Sequence, residues 1–201
     1  MTDARRTAPA TSRNREPILE VMRRHLPQRG VVLEIASGTG EHSVHFAAAL
    51  GPDLSFQPSD PDAASRASID AWVAATGACN VRPAIDLDAA AAEWPVQSAD
   101  AVLCINMIHI SPWAATVGLM GGASRILPVG GMLYIYGPFR RDGRHTALSN
   151  AQFDGGLRGT NPAWGVRDLE VVTDVAIAHG FGPPVIQDMP ANNLSVIFRR
   201  L

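Results

Sequence analysis

The segment Val31-Val32-Leu33-Glu34-Ile35-Ala36-Ser37-Gly38-Thr39-Gly40-Glu41-His42 constrains this chain more than any other. Aliphatic β-formers run into an acid, then into a small-residue turn with two glycines, then into a stretch that reads as helix. That is the strand–turn–helix opening of a nucleotide-binding α/β domain. Only a residue without a Cβ lets backbone N–H groups come close to a ligand and accepts positive φ at no cost, which singles out Gly38 and Gly40. A tight turn that binds nothing would use the same glycines, so the surroundings must decide.

Two details favour one class of ligand. A dinucleotide fold has a third glycine for helix–strand packing, where this chain has Ser43. Glu34, four residues before Gly38, suits an ammonium group lying over the loop and does not suit a pyrophosphate. The stretch resembles motif I of the class I S-adenosylmethionine-dependent methyltransferases, with Ala36 where a first glycine is usual. The resemblance implies a cofactor site that includes Glu34, Ala36, Ser37, Gly38 and Gly40.

Further along, Leu54–Gln57 reads as a second strand ending at Asp60, twenty residues after Gly40. An acid at that tip accepts hydrogen bonds from both ribose hydroxyls in nucleotide-binding α/β folds. It would equally cap a helix starting at Pro61. Asn80–Ala84 reads as a short edge strand interrupted by Pro83 and leading to Asp86-Leu87. The methyltransferase pattern places such an acid near the adenine amino group, with the apolar residue beside it. Ser98–Asn106 is a continuous apolar run, the mark of a central parallel strand buried on both faces. Leu127-Pro128-Val129-Gly130-Gly131 then resembles the turn before strand five of many small-molecule methyltransferases.

Alternating strands and helices predict a doubly wound α/β fold, a seven-stranded, mostly parallel sheet whose last strand is antiparallel. Residues 1–12 lack periodicity and are expected to form a flexible arm, followed by one domain over 13–201 in which Asn14 caps the first helix. The polar, arginine-rich stretch 137–166 reads as an active-site insertion. With 201 residues and 46% hydrophobic content there is one core's worth of chain, and a net charge of −2 offers no field for nucleic acid or membrane. Two cysteines, no long apolar run and no signal-like start point to a cytoplasmic protein. No metal-ligand spacing stands out.

A closer resemblance covers nearly the whole chain after residue 12. Arg13–Ile18, Glu34–Gly40, Ile105–Trp113, Tyr136–Phe139 and Met189–Leu194 are together similar to a small domain-of-unknown-function family of methyltransferase-like proteins, bacterial with distant animal relatives. It implies the class I fold and S-adenosylmethionine as cofactor, with Asn106 at the cofactor, and supplies no substrate. The expected reaction is methyl transfer to a small, anionic metabolite. His109 lies where small-molecule methyltransferases often carry a histidine facing the methyl, as base or orienting donor, and Tyr136 ends the neighbouring strand. Arg140, Arg144 and His145 would clamp a carboxylate or phosphate, with Asn192 and Asn193 as further substrate contacts. Each has a plain alternative: a packed histidine, an inward tyrosine, a solvated loop, turn-forming asparagines. A non-catalytic cofactor-binding protein is the second reading. A nicotinamide-dependent oxidoreductase is the third, disfavoured because the chain contains no lysine for a Tyr-x-x-x-Lys pair.

Overall fold

The computed structural model describes residues 3–201. In chain order the elements are α1 (Pro9–His25), β1 (Gly30–Ile35), α2 (Glu41–Leu50), β2 (Leu54–Pro58), α3 (Ala63–Thr76), β3 (Ala101–Ile105), α4 (Trp113–Ile126), β4 (Met132–Arg141), β5 (Arg144–His145), α5 (Leu148–Thr160), β6 (Arg167–Asp168), α6 (Leu169–Ala178), β7 (Val185–Met189) and β8 (Asn193–Arg199). The sheet order is β2-β1-β3-β4-β8-β7, with the two-residue strands β5 and β6 pairing β4. β2, β1, β3 and β4 are mutually parallel, and β8 runs antiparallel to both β4 and β7. This is the doubly wound class predicted, and the antiparallel strand is the last.

Each face of the sheet has its own core. Leu33, Val102, Cys104, Leu133, Ile135 and Val196 pack against α4 and α6. Their neighbours Val32, Ala101, Leu103, Tyr134 and Ile197 pack against α1 and α2. Strand periodicity divides the residues this way, and β3 is buried along its whole length because both faces are covered. Among the described residues no helix is long and apolar enough to cross a membrane.

The strand count differs from expectation. Asn80–Ala84 contributes only isolated bridges, Phe56 to Val81 and Ser59 to Ile85. Pro83 has no N–H to give a ladder. The Asn80 side chain is spent instead on the carbonyls of Ala47, Gly51 and Leu54.

The expected arm also differs. Residues 1–2 lie outside the described residues, but residues 9–12 are the first turn of α1, so Asn14 sits inside the helix rather than capping it. Pro9 at the first helical position stands where its missing N–H costs nothing. The preceding residues lie across the middle of α3 and the start of α2. The Arg6 N–H donates to Ser68 Oγ, Trp72 Nε1 donates to the Arg6 carbonyl, and the Ala8 N–H donates to Glu41. At its other end α1 is tied to the far side of the sheet, Arg24 donating to Gln187 and Arg199 to the His25 carbonyl.

Stretch 137–166 is not structureless either. Its first five residues continue β4 beyond the end of β3, and α5 and two short strands follow.

Candidate active site

The carboxyl ends of β1, β2, β3 and β4 lie side by side, where ligands of open α/β sheets bind. The β1 and β2 ends are stitched together. Ser37 N–H donates to the Ser59 carbonyl at 2.8 Å, and the Ser59 N–H donates to the Glu34 carbonyl at 2.9 Å. Ser37 itself is buried. Ala36 after β1 and Asn106 after β3 both adopt the left-handed region, φ 55° and 63°. For residues other than glycine this costs of order 1–3 kcal/mol each, a cost that clusters at functional sites.

The two glycines do different work. A Cβ on Gly40 would lie 2.6 Å from the Ile69 Cα, so this glycine lets α2 approach α3. Around Gly38 there is open space, and its N–H donates to Asp60 Oδ2 at 3.0 Å. Asp60 Oδ1 accepts from the Asp62 N–H at 3.0 Å, and Asp62, not Asp60, caps α3. Asp60 thus stands buried between the glycine loop and the β2 tip, each oxygen retaining a further acceptor position. Burial pushes its pKa up, against the two backbone donors.

Beside this pair a cavity of about 350 Å³ opens, walled by Ala36, Pro61, Leu87, Met107, Ile110 and Trp164. A larger depression, about 520 Å³, lies between α2 and α3 and reaches Gly51 and Pro52 at the start of β2, the wrong end of the sheet for a ligand of this fold. The smaller cavity has the apolar walls and volume of an aromatic-base slot. Leu87 lines it. Asp86 does not: its exposed carboxylate pairs with Arg66 at 3.2 Å, and Asp88 reaches the cavity instead. Pro61, Met107 and Ile110 directly follow strand ends and were findable on that ground. Trp164 arrives only because the insertion folds back.

Other expected residues are placed differently. Glu34 is 2% exposed and its carboxylate accepts from the Ser43 hydroxyl beneath the loop. Burial raises its pKa to about 7. It supports the loop from below instead of facing a ligand.

His109 is 1% exposed. A 3-10 turn at Met107–His109 sends its ring under β4, where it meets Phe139 edge-on at 5.1 Å and fills the space left by Gly137. Its Nδ1 accepts from the Arg167 N–H at 3.4 Å, and Nε2 has no partner. Burial lowers its pKa to about 3. A base so enclosed has no path to the cavity, which overturns the expected role. Tyr136 is 3% exposed, its hydroxyl between the side chains of Asn14 and Asn193. Asn14 in turn meets His42 Nε2 at 2.8 Å. This tyrosine belongs to a buried polar cluster under α1.

In the insertion, Arg140 and His145 face each other across the β4–β5 pair, while Arg144 is exposed and apart from them. Asn192 joins the β7–β8 turn to α5 through Ser149 and Asn150, and the Asn193 amide donates to the Pro190 carbonyl. Neither asparagine lines the cavity.

Comparison with known proteins agrees with this fold. The family model described as "Protein of unknown function (DUF938)" matches residues 5–200. An O-methyltransferase family protein from Burkholderia thailandensis superposes with a TM-score of 0.80 at 19% identity, over 95% of this chain and 57% of its own. SibL, an S-adenosylmethionine-dependent methyltransferase in its apo form, gives 0.77 at 19% identity, over 95% and 55%. CalO1, a methyltransferase of calicheamicin biosynthesis in its SAH-bound form, gives 0.75 at 16% identity, over 96% and 55%. The chain therefore spans little more than half the length of these structures, and at such identities the likeness is one of fold.

Proposed function

The chain belongs to the DUF938 family, and from that premise we propose that it transfers the methyl group of S-adenosylmethionine to a small, anionic acceptor. One observation carries this reading: Gly38 and Asp60 meet beside an apolar cavity at the strand ends. S-adenosylhomocysteine in the CalO1 structure, on the same fold, supports it.

The residues present fit such a cofactor. Asp60 has acceptor positions left for ribose hydroxyls, the space at Gly38 admits a ligand against the loop backbone, and Leu87, Met107 and Ile110 offer apolar walls to a purine. Asn106, half-buried in a strained backbone conformation, stands beside them for the amino-acid end. When bound, the cofactor supplies a methyl on a sulfonium, an electrophile ready for displacement. The chain's part is to orient and to exclude water, and Trp164, brought back by the insertion, closes one side of the cavity. The free, exposed Cys79 suits a cytoplasmic setting.

The enclosure of both His109 and Tyr136 favours, as a second reading, a protein that binds the cofactor without transferring its methyl. Calorimetry with S-adenosylhomocysteine, NAD and NADP tests the binding. The first should bind, and Asp60→Ala should weaken it by the roughly 1.5–3 kcal/mol of a charged hydrogen bond, about 10- to 150-fold. Tighter binding of either dinucleotide would overturn the reading. Formation of S-adenosylhomocysteine from labelled cofactor and a metabolite extract separates transfer from binding alone.

A further inference from the structure

The insertion and the short strand after it bring Arg140, His145, Arg158 and Arg167 to the ligand end of the sheet, and they differ in what they are given to do. Arg158 Nε donates to both oxygens of Asp154 at 3.1 Å. Arg167 donates to the carbonyls of Ile108, Ser111 and Ala163 and lies over the Trp113 ring. Both are consumed by structure. Arg140 is half-buried, and its Nε has no hydrogen-bond partner. Directly opposite in the antiparallel pair, His145 turns Nε2 to Asp154 at 3.3 Å and leaves Nδ1 buried and without a partner. Opposed residues of such a pair project to the same face. Two unspent nitrogens thus belong to side chains on one face, and burying such groups unmatched is unfavourable.

We propose that Arg140 and His145 form a docking subsite for a carboxylate of the acceptor, a reading that rests on the methyl-transfer function proposed above. A guanidinium edge and one imidazole nitrogen offer two donors to two oxygens, the planar match that arginine makes with carboxylate. A phosphate brings a third oxygen and nearly twice the charge. No further cation meets it on that face: Arg158 and Arg167 are engaged, and Arg141 and Arg144, the next pair along the ladder, project to the opposite side. Asp168, Arg140's register neighbour on β6, and Glu170 beyond it would repel a dianion more than a monoanion. Asp154 holds Nε2 of His145, so Nδ1 meets the carboxylate as the second N–H of an imidazolium.

The test uses the full chain saturated with S-adenosylhomocysteine, titrated with benzoate or inorganic phosphate at constant ionic strength. The ¹⁵N signals of arginine side chains and of His145 are the readout. Benzoate should shift the Arg140 Nε and His145 signals saturably and bind more tightly than phosphate. Arg140→Gln should weaken benzoate at least about tenfold while leaving S-adenosylhomocysteine affinity unchanged, which also reports that the variant is folded. Tighter phosphate binding overturns the carboxylate assignment, and no saturable shift at Arg140 overturns the subsite. A saturable shift at Arg140 with none at His145 removes His145 from it. Failure of the wild-type chain to bind S-adenosylhomocysteine would instead defeat the methyl-transfer reading, whatever benzoate does.

Discussion

Gly137 and His109 show how one residue's size decides another's role. The ring occupies the space over the glycine, where any Cβ on residue 137 would overlap Nε2. Gly137→Ala should therefore destabilise the fold by roughly the 1–3 kcal/mol of an overpacked core. The same substitution in a His109→Ala background should cost less, and denaturant unfolding of the two single variants and the double variant measures the coupling. At this scale the sequence was legible where backbone chemistry is compulsory: the glycine loop, Asp60, Leu87. It was not legible where a side chain could turn either way. Nothing in Ile108-His109-Ile110 tells which of the three faces solvent; Ile110 does, and the histidine is enclosed. Glu34 lies at the predicted strand end, but the serine that engages it, nine residues on, was read only as a missing glycine.

Among elements, α1 and the insertion depart most from what periodicity suggests, for a common reason. Both are polar stretches ordered by partners distant in sequence. In the insertion the organising group is Asp154, buried on α5, which accepts from the Val166 N–H at 2.7 Å and from Arg158, and meets His145. Asp154→Ala removes all three and leaves a buried N–H unmatched. It should destabilise α5 by roughly 1.5–3 kcal/mol, the range for hydrogen bonds to a charged group. Hydrogen exchange should quicken in residues 148–166 and stay unchanged in β1 and β3. The β-elements were more legible, because burial on both faces of β3 leaves a continuous apolar run, whereas the 80–84 stretch reads as a strand only until its proline and its side-chain partners are counted.

Over the whole molecule, burial of titratable groups gives stability a dependence on pH. His42 and His109 are held neutral, their pKa values lowered to about 3, chiefly by burial. Below the ordinary histidine value near 6.5 the unfolded chain takes up protons that the folded one refuses, so stability falls as pH falls toward 3. Glu34 opposes this. Raised to about 7, it binds its proton more readily when folded, so its contribution weakens as pH rises from 4.5 to 7. Two histidines outweigh one glutamate. At about 1.4 kcal/mol per pH unit for each group, net stability should drop by roughly 2–3 kcal/mol between pH 6.5 and 4.5. His109→Phe should level that slope, and a series of urea unfolding curves across the range decides it.

The two bonds that tie α1 across the sheet, Arg24 to Gln187 and Arg199 to the His25 carbonyl, set an order of events in time. This helix leaves the ribosome well before its partners, which lie more than 160 residues later in the chain. At roughly 5–20 residues per second, that interval is about 10–30 s of synthesis. Throughout it Ile18, Leu19, Val21 and Met22, all buried in the finished protein, lack the full surface they are to cover. The nascent chain therefore carries an apolar helix face with no settled place, and the sheet cannot close over it until Gln187 and Arg199 have been made.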